Sequence, residues 1–112
     1  MALLRVGPLP QGALDAAAAF HADVLPQVRA RLSAGADHLV LVFAPAEHDQ
    51  RGWRRAAVQD LARRYAPVRI NALESDDEAA IAAAAEYCAN APGLTGQLLI
   101  LDGKGADALL SG

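Results

Sequence analysis

The stretch His38-Leu39-Val40-Leu41-Val42-Phe43 constrains this chain more than any other. Five consecutive apolar residues, three of them β-branched or aromatic, show no alternation, so a strand built from them is apolar on both faces. Such a strand needs a layer on each side of its sheet, which is the geometry of parallel α/β proteins. The surrounding pattern agrees. "ALLRV", residues 2 to 6, is a short apolar run that stops at Gly7, Pro8 and Pro10 and reads as the first strand. From Ala13 to Ser33 the spacing turns helical, with Phe20, Val24, Val28 and Leu32 on one stripe, Leu14, Ala17 and Leu25 beside it, and a kink expected at Pro26.

A loop, "APAEHDQRG", leads into a second helix over about residues 50 to 65, whose stripe is Trp53, Ala57, Leu61 and Tyr65 and which Pro67 ends. "VRINAL" is the third strand. Ser75 and Glu78 have capping-box spacing, and Asp76 and Asp77 suit a first helical turn. The third helix then runs through "EAAIAAAAEYCAN" to Pro92-Gly93, and "QLLILD" is the last strand; the tail after Gly103 carries no pattern of its own. The order β-α-β-α-β-α-β predicts an α/β fold, a Rossmann-like four-stranded parallel sheet flanked by three helices, forming a single domain over residues 1–112.

Composition narrows the function classes. With 54% of residues apolar, 21% charged, a formal charge of −3 and a pI near 5.5, nothing attracts the chain to phosphate backbones or anionic lipid. No nucleic-acid or membrane role is expected. Cys88 is the single cysteine and has no partner for an internal disulfide, and "MALLRVGPLPQ" lacks the long apolar core of a signal peptide, so a bacterial-type cytoplasm is the expected compartment.

Arg51, Arg54 and Arg55 crowd the start of a helix, where positive charge opposes the dipole. They read first as a solvated face balanced by Glu47, Asp49 and Asp60, and second as an anion site. Glu47, His48, Arg51 and Arg55 form the candidate ligand or anion site. No second His or Cys stands at ligand spacing from His48, so no metal is expected; His21 and His38 read as surface or boundary residues, Cys88 as buried, and Trp53 as a packing anchor.

"LARRYAPVRINAL" resembles the end of the active-site helix and the next strand of short-chain dehydrogenases/reductases. "ANAPGLTGQLLILDGKG" is similar to that family's last loop and strand, through Thr95, Gly96, Gln97, Asp102 and Gly103, and "FHADVLPQVRARLSAGADHLVLVFAP" resembles its preceding helix and strand. The resemblance implies the second half of the family's fold, a truncated Rossmann-type domain, with the last helix on the opposite face of the sheet from the first two. The family's dinucleotide lies on a Gly-rich turn at a helix N-terminus, and these 112 residues contain no Gly-x-Gly-x-x-Gly. The resemblance also implies a catalytic tyrosine, lysine and serine. Counting back from Ala66-Pro67 places the tyrosine at Glu47, the lysine at Arg51 and the serine within Ala44 to Ala46; even with Arg55 taken as the lysine, Arg51 stands at the tyrosine, and Glu74-Ser75 replaces a Gly-Pro near the nicotinamide.

The expectation is therefore a non-catalytic pseudoenzyme without a cofactor, acting as a homo-oligomeric interaction or regulatory protein. A dimer or tetramer would associate through Phe20, Val24, Val28, Trp53, Ala57 and Leu61, through the open edge of the first strand, or, as the resemblance implies, through the last helix and strand. The alternatives are a small-molecule-binding protein or enzyme with a rebuilt site at the strand C-terminal ends, around Ala44 to Arg51 and Leu73 to Asp76, and an accessory subunit of a full-length relative.

Overall fold

In the computed structural model, which describes residues 1–101, the apolar run becomes the second strand of a fully parallel sheet. The elements in chain order are β1 (Ala2–Arg5), α1 (Ala13–Ala19), a π-helical turn (Phe20–Val24), α2 (Leu25–Ser33), β2 (His38–Phe43), a 3-10 turn (His48–Gln50), α3 (Arg51–Arg64), β3 (Arg69–Glu74), α4 (Glu78–Ala89) and β4 (Leu98–Ile100). The strands lie in the order β1-β2-β3-β4, and each neighbouring pair is parallel. The expected end of the last strand at Asp102, and the tail, fall outside the described residues.

Alternation along β2 feeds two separate cores. Leu39, Leu41 and Phe43 meet Phe20, Val24, Val28, Val58 and Leu61 from α1 through α3, while Val40 and Val42 meet Ala80, Ile81, Ala84, Ala85 and Cys88 of α4. Both faces of the strand are dry, as its composition demands. The first two crossovers and the third advance the same way across the sheet with their helices on opposite faces, so the third has the opposite hand from the others. Right-handed crossovers are otherwise near-universal. The placement of α4 follows the family resemblance rather than that rule.

Several local expectations change in detail. The long first helix meets Pro26 near the start of α2 with a widened π turn immediately before it, which loosens the backbone where the proline ring would crowd the preceding turn. Phe20, Val24 and Val28 stay on one face across it. Leu14, expected beside that stripe, is 88% exposed. The Ser75/Glu78 capping box does not form. Asp77 is the N-cap and accepts from the N–H groups of Ala79 and Ala80, Ser75 Oγ accepts from the Asp77 N–H, and Glu78 turns outward to a bidentate pair with Arg5. At the other end of α4, Arg69 donates to the carbonyls of Cys88, Ala89 and Ala91, satisfying acceptors the helix leaves open.

The edge of the sheet at β1 is guarded. Val6 N–H donates to Val42 O, so by alternation Leu4 faces β2 and the backbone groups of Leu3 and Arg5 face outward. Arg31 of α2 reaches over and donates to Leu3 O at 3.0 Å. A strand of four residues with one outward carbonyl taken and an exposed arginine on it is a poor template for pairing.

His38, read from sequence as a surface or boundary residue, is instead 2% exposed at the start of β2. The strand that carries it is covered on both sides, so its first residue is covered too. Asn71 of β3 accepts from Gln97 N–H through Oδ1, donates to Leu94 O, and places Nδ2 3.3 Å from His38 Nε2. That arrangement makes Nε2 an acceptor, and Nδ1 is buried without a partner. Protonation would set two donors against each other. Burial first, then the charge of Arg69, hold His38 below its usual value of 6.5. The native state thus binds fewer protons than the unfolded chain, and this contribution to stability is whole above about pH 6.5 and lost as pH falls below it. Thermal unfolding should show a midpoint that declines as pH falls below about 6.5, and His38→Leu should flatten that decline. An unchanged slope in the variant would contradict the assignment.

Candidate functional site

The C-terminal ends of the strands form one wall of a cavity of about 530 Å3. Val6 to Gln11, leaving β1, form a strap on one side; Ala44 to Glu47, leaving β2, form the other; Phe43, Gln50 and Arg54 line the floor. Three prolines, Pro8, Pro10 and Pro45, stiffen these walls. Gln50 fastens the strap to α3: its Nε2 donates to Gln11 O at 2.6 Å, while its Oε1 accepts from Trp53 Nε1 at 2.6 Å. The indole packs on Phe20 and Phe43, with ring centroids 5.5 and 5.8 Å away, in keeping with a packing anchor.

Arg54, on the cavity floor, belongs to a buried ion pair. Arg54 is 5% and Glu74 is 3% exposed, and Arg54 Nη1 donates to Glu74 Oε1 at 2.8 Å and to Ala44 O at 2.9 Å. The guanidinium stands over the Phe43 ring, 4.5 Å from its centroid. Arg51 Nε approaches Glu74 Oε2 at 3.8 Å from a more open position. Burial pulls the Arg54 pKa below the usual arginine value, and Glu74 opposes that shift by charge and hydrogen bond. The Nε groups of both arginines are buried without a hydrogen-bond partner among the described residues.

The residues singled out from sequence separate here. Glu47 is exposed and lines the cavity, whereas Arg51 stands beside Glu74, outside the lining. His48 is exposed in the 3-10 turn and Arg55 is exposed on α3, and neither lines the cavity. Arg54, read first as part of a solvated face, is the buried member of its cluster because it sits four residues before Val58 on the inward stripe. Gln50 and Glu74 fall within the Ala44–Arg51 and Leu73–Asp76 stretches expected for a rebuilt site, although neither is singled out by the sequence. A charged residue on each of two otherwise apolar faces, one helical and one ending a strand, was the available signal. Among the described residues no group of three His, Cys, Asp or Glu side chains could hold a metal, and no helix is long and apolar enough to cross a membrane.

The six expected interface residues also change place. Phe20, Val24, Val28, Ala57 and Leu61 are each at most 7% exposed against this chain's own sheet, and Trp53 is half-buried over the same core. Five of these six side chains are spent on this chain's own core, which leaves them little surface for a partner.

A family model for short-chain dehydrogenase-like (SDR-like) proteins matches residues 4–101. The chain belongs to that SDR-like family. No curated protein matches it, and no solved structure does. The match spans all four strands apart from the first two residues of β1, and the opposite hand of the last crossover accords with the resemblance seen in the sequence. At the positions where the resemblance sets the SDR tyrosine, lysine and serine, this SDR-like chain has Glu47 on the cavity rim, Arg51 beside Glu74, and Ala44-Pro45-Ala46 along the wall.

Proposed function

We propose that this protein is a non-catalytic member of the SDR-like family that works as a homo-oligomer in an interaction or regulatory role. One observation carries the reading: the strand ends where an SDR would hold its reacting groups carry the Arg54–Glu74 ion pair, with Ala44 O drawn into it. A carboxylate and a guanidinium bonded to each other offer neither the hydroxyl that protonates a carbonyl oxygen nor the lysine that tunes it. The replacement of the Ser, Tyr and Lys positions supports the same conclusion.

Self-association is better served by the helices than by the guarded β1 edge. A groove of about 140 Å3 runs between α1–α2 and α3 on their outward side, floored by Leu25 and Leu61 and rimmed by Arg29, Asp60, Arg64 and Tyr65. Arg29 Nε donates to Tyr65 Oη at 3.2 Å, fixing one rim. In the family resembled, the corresponding helices pack against their counterparts in a second subunit, and a partner's helix pair laid along this groove would cover it. Light scattering on the pure protein should give the mass of a dimer or tetramer, unchanged by NADH or NADPH. A monomer at all concentrations, or a mass that shifts with nucleotide, would refute this reading.

A second reading, a rebuilt small-molecule site, is favoured by the cavity itself, which lies within the roughly 300–1,000 Å3 range of ligand sites at the position where open α/β sheets bind ligands.

A further inference from the structure

Arg54 is the cationic side chain among the residues that line the cavity, and its partner Glu74 and the neighbouring Arg51 do not line it. All the hydrogen bonds that Arg54 makes among the described residues run through Nη1, and its Nε is buried with no acceptor. Buried donors of this kind ordinarily have partners. The walls around them are apolar and stiff: Val6, Leu9, Phe43 and the three prolines. Glu47 on the exposed rim adds a negative charge that disfavours a ligand carrying two or more of its own.

We infer that the cavity binds a small monocarboxylic acid with an apolar aromatic or branched aliphatic body, its carboxylate on the free side of Arg54 and its body between the Gly7–Gln11 strap and the Ala44–Glu47 loop. This rests on the second reading above and specifies its ligand class. The donors that Arg54 leaves unbonded select the anion, the apolar walls select the body, and Glu47 selects against phosphate esters. Arg54 cannot swing away to meet the ligand in solvent, since Glu74 and Ala44 O hold it in place. The receptor is thus preorganised, which lowers the ordering cost of binding.

The test uses benzoate and hexanoate as probes, with benzamide as the neutral isostere, each titrated to about 10 mM into 15N-labelled protein. The acids should shift backbone resonances of Gly7 to Gln11 and Ala44 to Glu47, and benzamide should bind about tenfold or more weakly. Arg54→Met combined with Glu74→Leu removes both charges of the pair together, so the fold survives the loss of the anion receptor, and acid binding should fall by about tenfold or more. Circular dichroism confirms that the double variant is folded; if it is not, the shift map and the acid-to-amide ratio in the unaltered protein decide. Absence of any shift, shifts elsewhere on the surface, equal binding of acid and amide, or undiminished binding by a folded double variant would each overturn the assignment. Because none of these readouts depends on mass or nucleotide, they fail or succeed separately from the oligomeric reading.

Discussion

Arg54→Ala should destabilise the protein by about 3–5 kcal/mol, because it strands Glu74, 3% exposed, without its partner. The carboxylate would keep only the distant Arg51 Nε at 3.8 Å, and Ala44 O would lose its donor as well. For a domain of this size each kcal/mol lowers the unfolding midpoint by roughly 4–8 °C, so the loss is a large part of ordinary domain stability. Replacing both partners by apolar residues of similar volume should instead leave stability within about 1–2 kcal/mol of the original. Thermal or urea unfolding of the single and double variants checks the contrast. If the single variant were as stable as the double, the pair would not be buried together.

Phe43→Ala should cost a comparable amount, about 3–5 kcal/mol. Phe43 is fully buried, closes β2, and holds Phe20 at 5.7 Å, Trp53 at 5.8 Å and the Arg54 guanidinium at 4.5 Å. Its removal opens a void at the floor of the cavity and takes away the ring beneath a partly desolvated cation. Phe43→Leu should recover part of the loss, since it restores volume without the ring. The fluorescence of Trp53, which shares its environment with Phe43, should shift to the red in the alanine variant as the indole gains water. Urea unfolding that shows less than about 1 kcal/mol of change would contradict the packing described.

The same residues show why some of this was legible in the sequence and some was not. The order of elements follows from local pattern: an unbroken Leu39–Phe43 run, helical stripes at four-residue steps, and prolines at the ends. The two-sided core follows from the same run, because a strand apolar on both faces needs two layers. The ion pair was harder, since Arg54 and Glu74 are 20 residues apart and charges near a helix start ordinarily meet water. Only the register of Arg54 with Val58 marks it as inward. The helix stripes misled in the other direction. Their residues looked numerous enough for a partner, but counting apolar positions does not reveal how much sheet lies beneath them, and here the sheet takes five of the six. His38 and Asn71 form their contact across neighbouring strands, which depends on register that no single stretch encodes.

The central claim, an SDR-like fold that does no SDR chemistry, is tested most directly by incubating the pure protein with NADPH or NADH and a panel of aldehydes and ketones while following absorbance at the reduced nicotinamide band. No carbonyl-dependent oxidation above the protein-free rate is the expected result, and it should persist in the Arg54→Met/Glu74→Leu double variant, which removes the ion pair without adding a catalytic group. Steady carbonyl-dependent oxidation by the unaltered protein, proportional to its concentration, would contradict the claim.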